Sequence, residues 1–412
     1  DATWWIGGKP ALFPLCGLKT KAEMGALLNS LVPGTQDGLK ITPKAMIAEG
    51  SKVACEAESY GVLGNGRIAF NVGYQRSVRR ECGYPQHPSI PGLFLTLNTT
   101  TYDVKYFLPE HMHWETTLGV NGMMQVNTAS EGTEFIIPDF TLGDIGPFLH
   151  VKRAFEKIDL AAGIRYDSRA FASDALFTRP DASTGFDMVV AGSGDSSTVK
   201  RFDAHARNFS GVSASAGIAF NMNERLTLKA NIARGFRAPS AAEISAAGVH
   251  PGTGFAQFGS ADLKPETSLQ EDIGVFYSGT HVTGSAEVFL NTIDNYIYNE
   301  KLLGADGSDS IYLQDGEAFE VFEYRRSKAR LIGGELTLDA HPHPLDWLHI
   351  EGSIAMLSAT NLGGGHASVS DSTRYLPQVP PMRFTLELRA MAKKGIGRLR
   401  SLYGEVGMQL VA

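Results

Sequence analysis

Arg234 and Arg237 flank Phe236 in the segment ARGFRAPS, and two guanidinium forks at the end of a strand are chemistry for holding a carboxylate or a phosphate. A structural role competes for the same residue, because Arg237 can brace a loop by pairing with Glu243 or Glu266. Between Pro239 and Leu263 runs a connection of about two dozen residues, longer than most in compact domains and so either functional or mobile. It carries His250 and Gln257. Two other histidine groups resemble metal tracts, and neither is assigned a metal. His341 and His343 stand two apart in HPHPLDW, but a proline after each imposes extended geometry, so the segment reads as a short turn before a strand restarting near Trp347. His111 and His113, beside Glu110 and Glu115, lack the i, i+4 spacing of a helical zinc site. Cys16, Cys55 and Cys82 are odd in number and without C-x-x-C spacing, which indicates neither a zinc site nor a disulfide framework. No nucleophile elbow, phosphate-cradling loop or dinucleotide fingerprint is present, so no catalytic residue is assigned and the chain is not expected to be an enzyme.

The elements that must position these residues are strands. In LTLKANIARGF, Leu226, Leu228, Ala230 and Ile232 share one face while Thr227, Lys229 and Asn231 share the other, the period of two of a pleated strand. The same alternation recurs at Ile158 to Asp167 and at Glu335 to Ala340. Gly92 to Leu108, Thr280 to Tyr298 and Pro381 to Met391 are each long enough for the tilted strand that crosses an outer membrane. Trp114, Tyr166, Phe236, Tyr277, Tyr298 and Trp347 lie near strand ends, where an interfacial girdle would place them. Alternation alone leaves a soluble sandwich open, because it does not say which face meets water. Among 412 residues are 45 glycines and 43% hydrophobic residues, which suits alternating strands. A net charge of -7 without a basic stripe excludes a general nucleic-acid binder.

The boxes R-G-F-R-A-P (Arg234 to Pro239) and L-K-P-E (Leu263 to Glu266) stand in the order found in the barrel of TonB-dependent outer-membrane receptors, which the chain resembles from about Arg67 onward. That resemblance implies a mainly β fold, a partial antiparallel transmembrane β-barrel over residues 64–412, in the outer membrane and in contact with its lipid. It also implies uptake of a scarce extracellular ligand (an iron chelate, haem, cobalamin or a glycan) driven through a TonB-type energy-coupling protein. No cofactor of the protein itself is expected, and haem iron would enter only as transported ligand. In haem-uptake members a histidine between F-R-A-P and N-P-N-L boxes can ligate haem iron; here His250 falls between, but Ser260, Ala261, Asp262 and Leu263 replace the second box. Arg234, Arg237 and His250 are therefore the candidate ligand-binding residues. The family's plug and energy-coupling box have no legible counterpart before Arg67, and GEVGMQLVA lacks the closing aromatic, so the barrel reads as lacking its plug and terminal strands.

Residues 1–63 read differently. Leu18 to Val32 has near-helical apolar spacing with Thr20 and Glu23 as a capping box, followed by strands at Lys40 to Ala48 and Lys52 to Tyr60. With its opening DATWWI, this segment resembles the SnoaL-like and ketosteroid-isomerase superfamily, an α+β cone fold. That implies as an alternative a small-molecule-binding or isomerase/cyclase-type enzyme fragment fused to barrel sequence. Glu56 and Glu58 alternate on one strand face and Asp1 heads another, and no catalytic role is carried over to them. The opening also lacks the basic and apolar regions of a signal peptide.

Overall fold

Alternating residues make long strands, and the long strands make one sheet. In the computed structural model, the described residues are 65–412 apart from 82–89, 130–131, 193–195, 251–253, 305, 315, 365–372 and 392–401, together with the backbone of strands before residue 63. The helix expected at 18–32 lies outside the described residues, as do Cys16 and Cys82. Beyond a two-residue pair, β1 (Trp5–Ile6) and β2 (Lys9–Pro10), the wall opens with β3 (Lys40–Ala48), β4 (Gly50–Val62), β5 (Gly66–Glu81), β6 (Leu93–Phe107), β7 (Trp114–Thr128), β8 (Phe140–Ala154) and β9 (Ile158–Ser173). A three-stranded excursion follows, made of β10 (Leu176–Pro180), β11 (Asp187–Val190) and β12 (Val199–Phe202). The wall resumes with β13 (His205–Asn223) and β14 (Leu226–Arg237), then a loop holding α1 (Ala241–Ser245), β15 (Ala247–His250) and β16 (Phe255–Phe258). It continues through β17 (Glu266–Ser278), β18 (Val282–Lys301), the loop strand β19 (Ile311–Gln314), β20 (Glu317–Ala340), β21 (Leu348–Gly363), β22 (Arg383–Met391) and β23 (Tyr403–Val411).

Consecutive wall strands pair antiparallel, with β9 joined to β13 and β14 to β17 across the two inserted loops. In the strand order β23 lies beside β3, so the sheet returns on itself as a barrel. The hairpin expected within residues 1–63 is present as β3 and β4, and β4 continues into the wall, pairing with β5 from Lys52↔Gln75 to Val62↔Gly66.

The registers settle which face is outside. Across five neighbouring strands Ala230, Ile273, Val288, Gly334 and Met356 form one row. Ile273, Val288 and Met356 in that row are 62%, 57% and 55% exposed, so the greasy face points outward. Along β17 the exposed residues alternate without a break: Leu269, Glu271, Ile273, Val275 and Tyr277. The other face carries Ser268, Gln270 and Asp272, and Gln270 hydrogen-bonds to Asp272 while Asn231 reaches the same carboxylate from β14. Greasy outside and hydrogen-bonded inside is the pattern of a barrel in lipid, and the reverse of a soluble sandwich.

One end of the barrel has short turns, as at 155–157, 224–225 and 279–281, and the other has long loops, as at 174–204, 238–265 and 364–382. In outer-membrane barrels the long loops are extracellular. Trp114, Tyr277 and Trp347 are exposed at the short-turn end, joined by Phe155 and Tyr403, and make the girdle expected there. Phe236 and Tyr298 do not belong to it: Phe236 packs against a buried cluster and Tyr298 is itself buried. Strand ends carry aromatics for two reasons, interface and loop support, and only burial separates them.

Candidate functional site

The loop from 238 to 265 is folded onto the barrel mouth. Its helix α1 is short and depends on its cap. The Ser240 hydroxyl accepts the Glu243 N–H at 3.3 Å, and the Ser240 N–H donates to the Glu243 carboxylate at 2.7 Å, a capping box written in the sequence as Ser240-Ala-Ala-Glu243. Beyond it, β15 and β16 form a ribbon, and Ala256–Phe258 lie parallel to Val321–Glu323 of β20. Gln257 donates to the Tyr324 hydroxyl at 2.8 Å, and the Phe255 and Phe322 rings pack with centroids 4.6 Å apart. The Ala247 N–H donates to the Ile136 carbonyl at 2.9 Å, tying this loop to the one before β8.

Arg237 is the hub. It donates through Nε and Nη2 to the two oxygens of Glu266 at 2.6 and 2.7 Å, a fork-on-fork pair, and through Nη1 to both oxygens of Glu243 at 3.0 and 2.9 Å. Glu266 in turn accepts the Ile297 N–H at 2.6 Å. One guanidinium thus joins the end of β14, the helix α1, the start of β17 and the strand β18. Of the two roles open to Arg237, bracing is the one its geometry performs.

Arg234 is placed apart from it. Register sets Arg234 opposite Ala214 and Leu269, on the outward face with Ile232, and its guanidinium donates to the Val212 carbonyl. A long cationic side chain at the outer end of a lipid-facing strand is of the kind that extends toward the headgroup level. Arg234 and Arg237, both candidate ligand-binding residues, stand on opposite faces. His250 ends β15, its backbone paired with Phe255 in the loop ribbon.

Beneath the loop the outer half of the lumen is partly filled. Phe140, Leu142, Phe171, Phe209, Ala238 and Ile244 form a buried cluster with Phe236 against it. Below lies a cavity of about 630 Å³ lined by Asp103, Asn121, Arg165, Arg169, Ser213 and Arg237 among others. Arg169 makes two bonds of 2.7 Å to Asp144 and donates to the Pro239 carbonyl at 3.4 Å, while Arg165 donates to Asp167 at 2.6 Å. These arginines each carry a carboxylate already, so the surface is polar and nearly charge-balanced. It suits a ligand held by many hydrogen bonds better than a phosphate gripped by free cations. The alternation Arg165, Asp167, Arg169 along one strand was the signal for this lining; its importance was hidden because Asp144 and Pro239 are distant in sequence.

Gly211 is needed for the inward turn of Phe236, since a Cβ there would lie 2.1 Å from the Phe236 ring. Gly211→Val is expected to lower stability by about 1–3 kcal/mol through overpacking. Urea midpoints of the refolded barrel measure it, and an unchanged midpoint would show that the ring can move aside.

The chain matches the family model described as TonB dependent receptor-like, beta-barrel, over residues 60–404. Among solved structures it is similar to "Copper transporter OprC" at 15% identity and TM-score 0.58, covering 88% of this chain and 51% of that one. It is similar to the FrpB iron transporter of Neisseria meningitidis (F5-1 variant, apoprotein form) at 12% identity and TM-score 0.56, covering 87% and 56%. A double mutant of the Serratia marcescens hemophore receptor HasR, in complex with its hemophore HasA and heme, gives 13% identity and TM-score 0.54 over 86% and 58%. The chain therefore spans between half and three-fifths of the length of these structures. With the family model covering most of the wall, and with an outward apolar face, an inward polar face and long loops at one end, the chain belongs to the TonB-dependent receptor β-barrel family of the outer membrane.

Proposed function

We propose that this chain forms wall and outer mouth of a receptor for energy-driven uptake of a scarce extracellular ligand, and that the ligand is met by the 238–265 loop and the cavity below it. The observation that carries this is the Arg237 hub: a long external loop is fastened by one forked guanidinium over a polar cavity inside a barrel of this family. Loops on rigid scaffolds are where binding residues concentrate. Iron chelates, haem, cobalamin and glycans are the ligand classes considered, and in the complete receptor a plug and a TonB-type partner would supply the coupling. For the test, the chain is refolded in detergent and titrated calorimetrically with a ferric catecholate, a ferric hydroxamate, haemin, cyanocobalamin and a maltooligosaccharide. Saturable one-to-one binding of one class, lost when residues 247–258 are replaced by a short glycine linker, is the expected result. Absence of saturable binding by any of them from folded protein would remove the proposal.

Haem is the class in which His250 would act directly, as an iron ligand. If so, haemin added to the refolded chain shifts its Soret band and His250→Ala abolishes the shift; an unshifted band, or one indifferent to the substitution, rules haem ligation out.

A second reading, that residues 1–63 belong to a SnoaL-like α+β unit, is weakened by the pairing of β4 with β5, which commits Lys52 to Val62 to the wall. A cone-fold sheet would need that edge for its own strands.

A further inference from the structure

At the short-turn end, the hairpin of β20 and β21 brings together three side chains that uptake does not use. Asp339 is the last inward-facing residue of β20, His349 lies near the start of β21, and His341 follows β20 into the turn. Each histidine Nδ1 lies 3.4 Å from Asp339 Oδ1, and the two imidazole rings are 4.5 Å apart between centroids. All three donor atoms fall within 4.8 Å of one another. Asp339 Oδ1, His341 Nδ1 and His349 Nδ1 are shielded from solvent and make no hydrogen bond. Three polar atoms buried this close together with no hydrogen-bond partner are a costly arrangement at an ordinary protein surface.

We propose that Asp339, His341 and His349 form a binding site for a divalent transition-metal ion of the zinc class. Metal–nitrogen and metal–oxygen bonds near 2.0–2.1 Å in a tetrahedron set neighbouring donors about 3.3 Å apart, close to the two separations of 3.4 Å. Two imidazoles and one carboxylate are the donor set that favours zinc, copper or nickel over magnesium or calcium. Glu351, whose Oε1 is 3.8 Å from His349 Nδ1, stands by as a fourth ligand or a partner for bound water. Among the described residues Arg389 stands opposite His349 in register, and its guanidinium is occupied by Glu387 and Glu405. The turn itself is held by backbone bonds from His341 N–H to the His281 carbonyl at 2.9 Å and from Met391 N–H to the Trp347 carbonyl at 2.7 Å, so the site is built on fixed strands. His343 is excluded from it: its Nδ1 lies 3.0 Å from Asp346. The proposed ligands are thus not the i, i+2 pair of HPHPLDW, which forms the turn, but His341 with partners from the two strands. An ion here would clamp the hairpin at the periplasmic mouth of the lumen.

The test uses the full chain, refolded in detergent, freed of metal by chelation, and shown folded by its heat-modifiable migration. Titration with Co²⁺ is expected to give one ion per chain, with the visible ligand-field bands of a four- or five-coordinate ion, displaced by one equivalent of Zn²⁺. His349→Gln, His341→Gln and Asp339→Asn should each weaken Co²⁺ binding by more than about ten-fold, the loss that removal of even a supporting residue causes. His343→Gln should leave it unchanged. Folded protein that binds no Co²⁺, or a His343→Gln loss equal to that of His349→Gln, would overturn the site. The readout is independent of any transported ligand, so it stands or falls apart from the uptake proposal.

Discussion

Replacing Arg237 by alanine is expected to release the 238–265 loop from the barrel mouth while leaving the wall intact. The substitution strips both Glu243 and Glu266 of their partner, and their side chains are only 12% exposed while that of Arg237 is 44% exposed. Removing one member of a fully buried ion pair costs about 3–5 kcal/mol because the remaining charge is stranded. Partial exposure of the arginine screens this, so about 2 kcal/mol of local stability is the expected loss. Amides of α1 and the β15–β16 ribbon should exchange roughly thirty-fold faster, and limited proteolysis should cut within the loop. Arg237→Lys should recover only part of the protection, since an ammonium is a point charge and cannot grip two carboxylates in plane. Loop amides as protected in Arg237→Ala as in the unsubstituted chain would show that the ribbon's contacts with β20 hold the loop without the hub.

The second large effect concerns the wall. Ile273→Arg places a charge in the outward row formed with Ala230 and Val288, and a cation at the membrane midplane costs about 2–4 kcal/mol. Folding into lipid vesicles, followed by the fraction of heat-modifiable protein across urea, should shift accordingly. Asn291→Lys is the control. It lies on the inward face of β18, opposite Gln270, where water and polar partners receive a charge, and its effect should be several-fold smaller. Equal losses at the two positions would contradict the assignment of faces. The two predictions separate mouth from wall: one loosens a loop without unfolding the barrel, the other impairs insertion without touching the loop.

Much of the architecture is present in local text. Strand limits expected at Gly92 to Leu108 and Pro381 to Met391 are found at Leu93–Phe107 and Arg383–Met391, because glycine and proline punctuate runs whose interior alternates. Ser240 and Glu243 encode their capping box within four residues, and Glu243 and Glu266 were already legible as partners for Arg237. What escaped is non-local. Phe236 and Tyr298 carry the same signal as true girdle aromatics such as Tyr277, and only the packing of loops above them turns them inward. The metal cluster escaped for a similar reason, since His349 reaches Asp339 by hairpin registry and not by motif spacing.

By itself, then, the sequence determined that strands would form, where they break, and that each would have one greasy and one polar face, because side-chain alternation is a property of the single strand. Which face meets lipid, which arginine faces the lumen and which histidines meet were decided only by the tertiary structure. A period of two is symmetric with respect to inside and outside, so that choice is made when registers between distant strands bring the greasy faces into one continuous outer row. The same registers bring Arg237 to Glu266 and leave Arg234 on the opposite face.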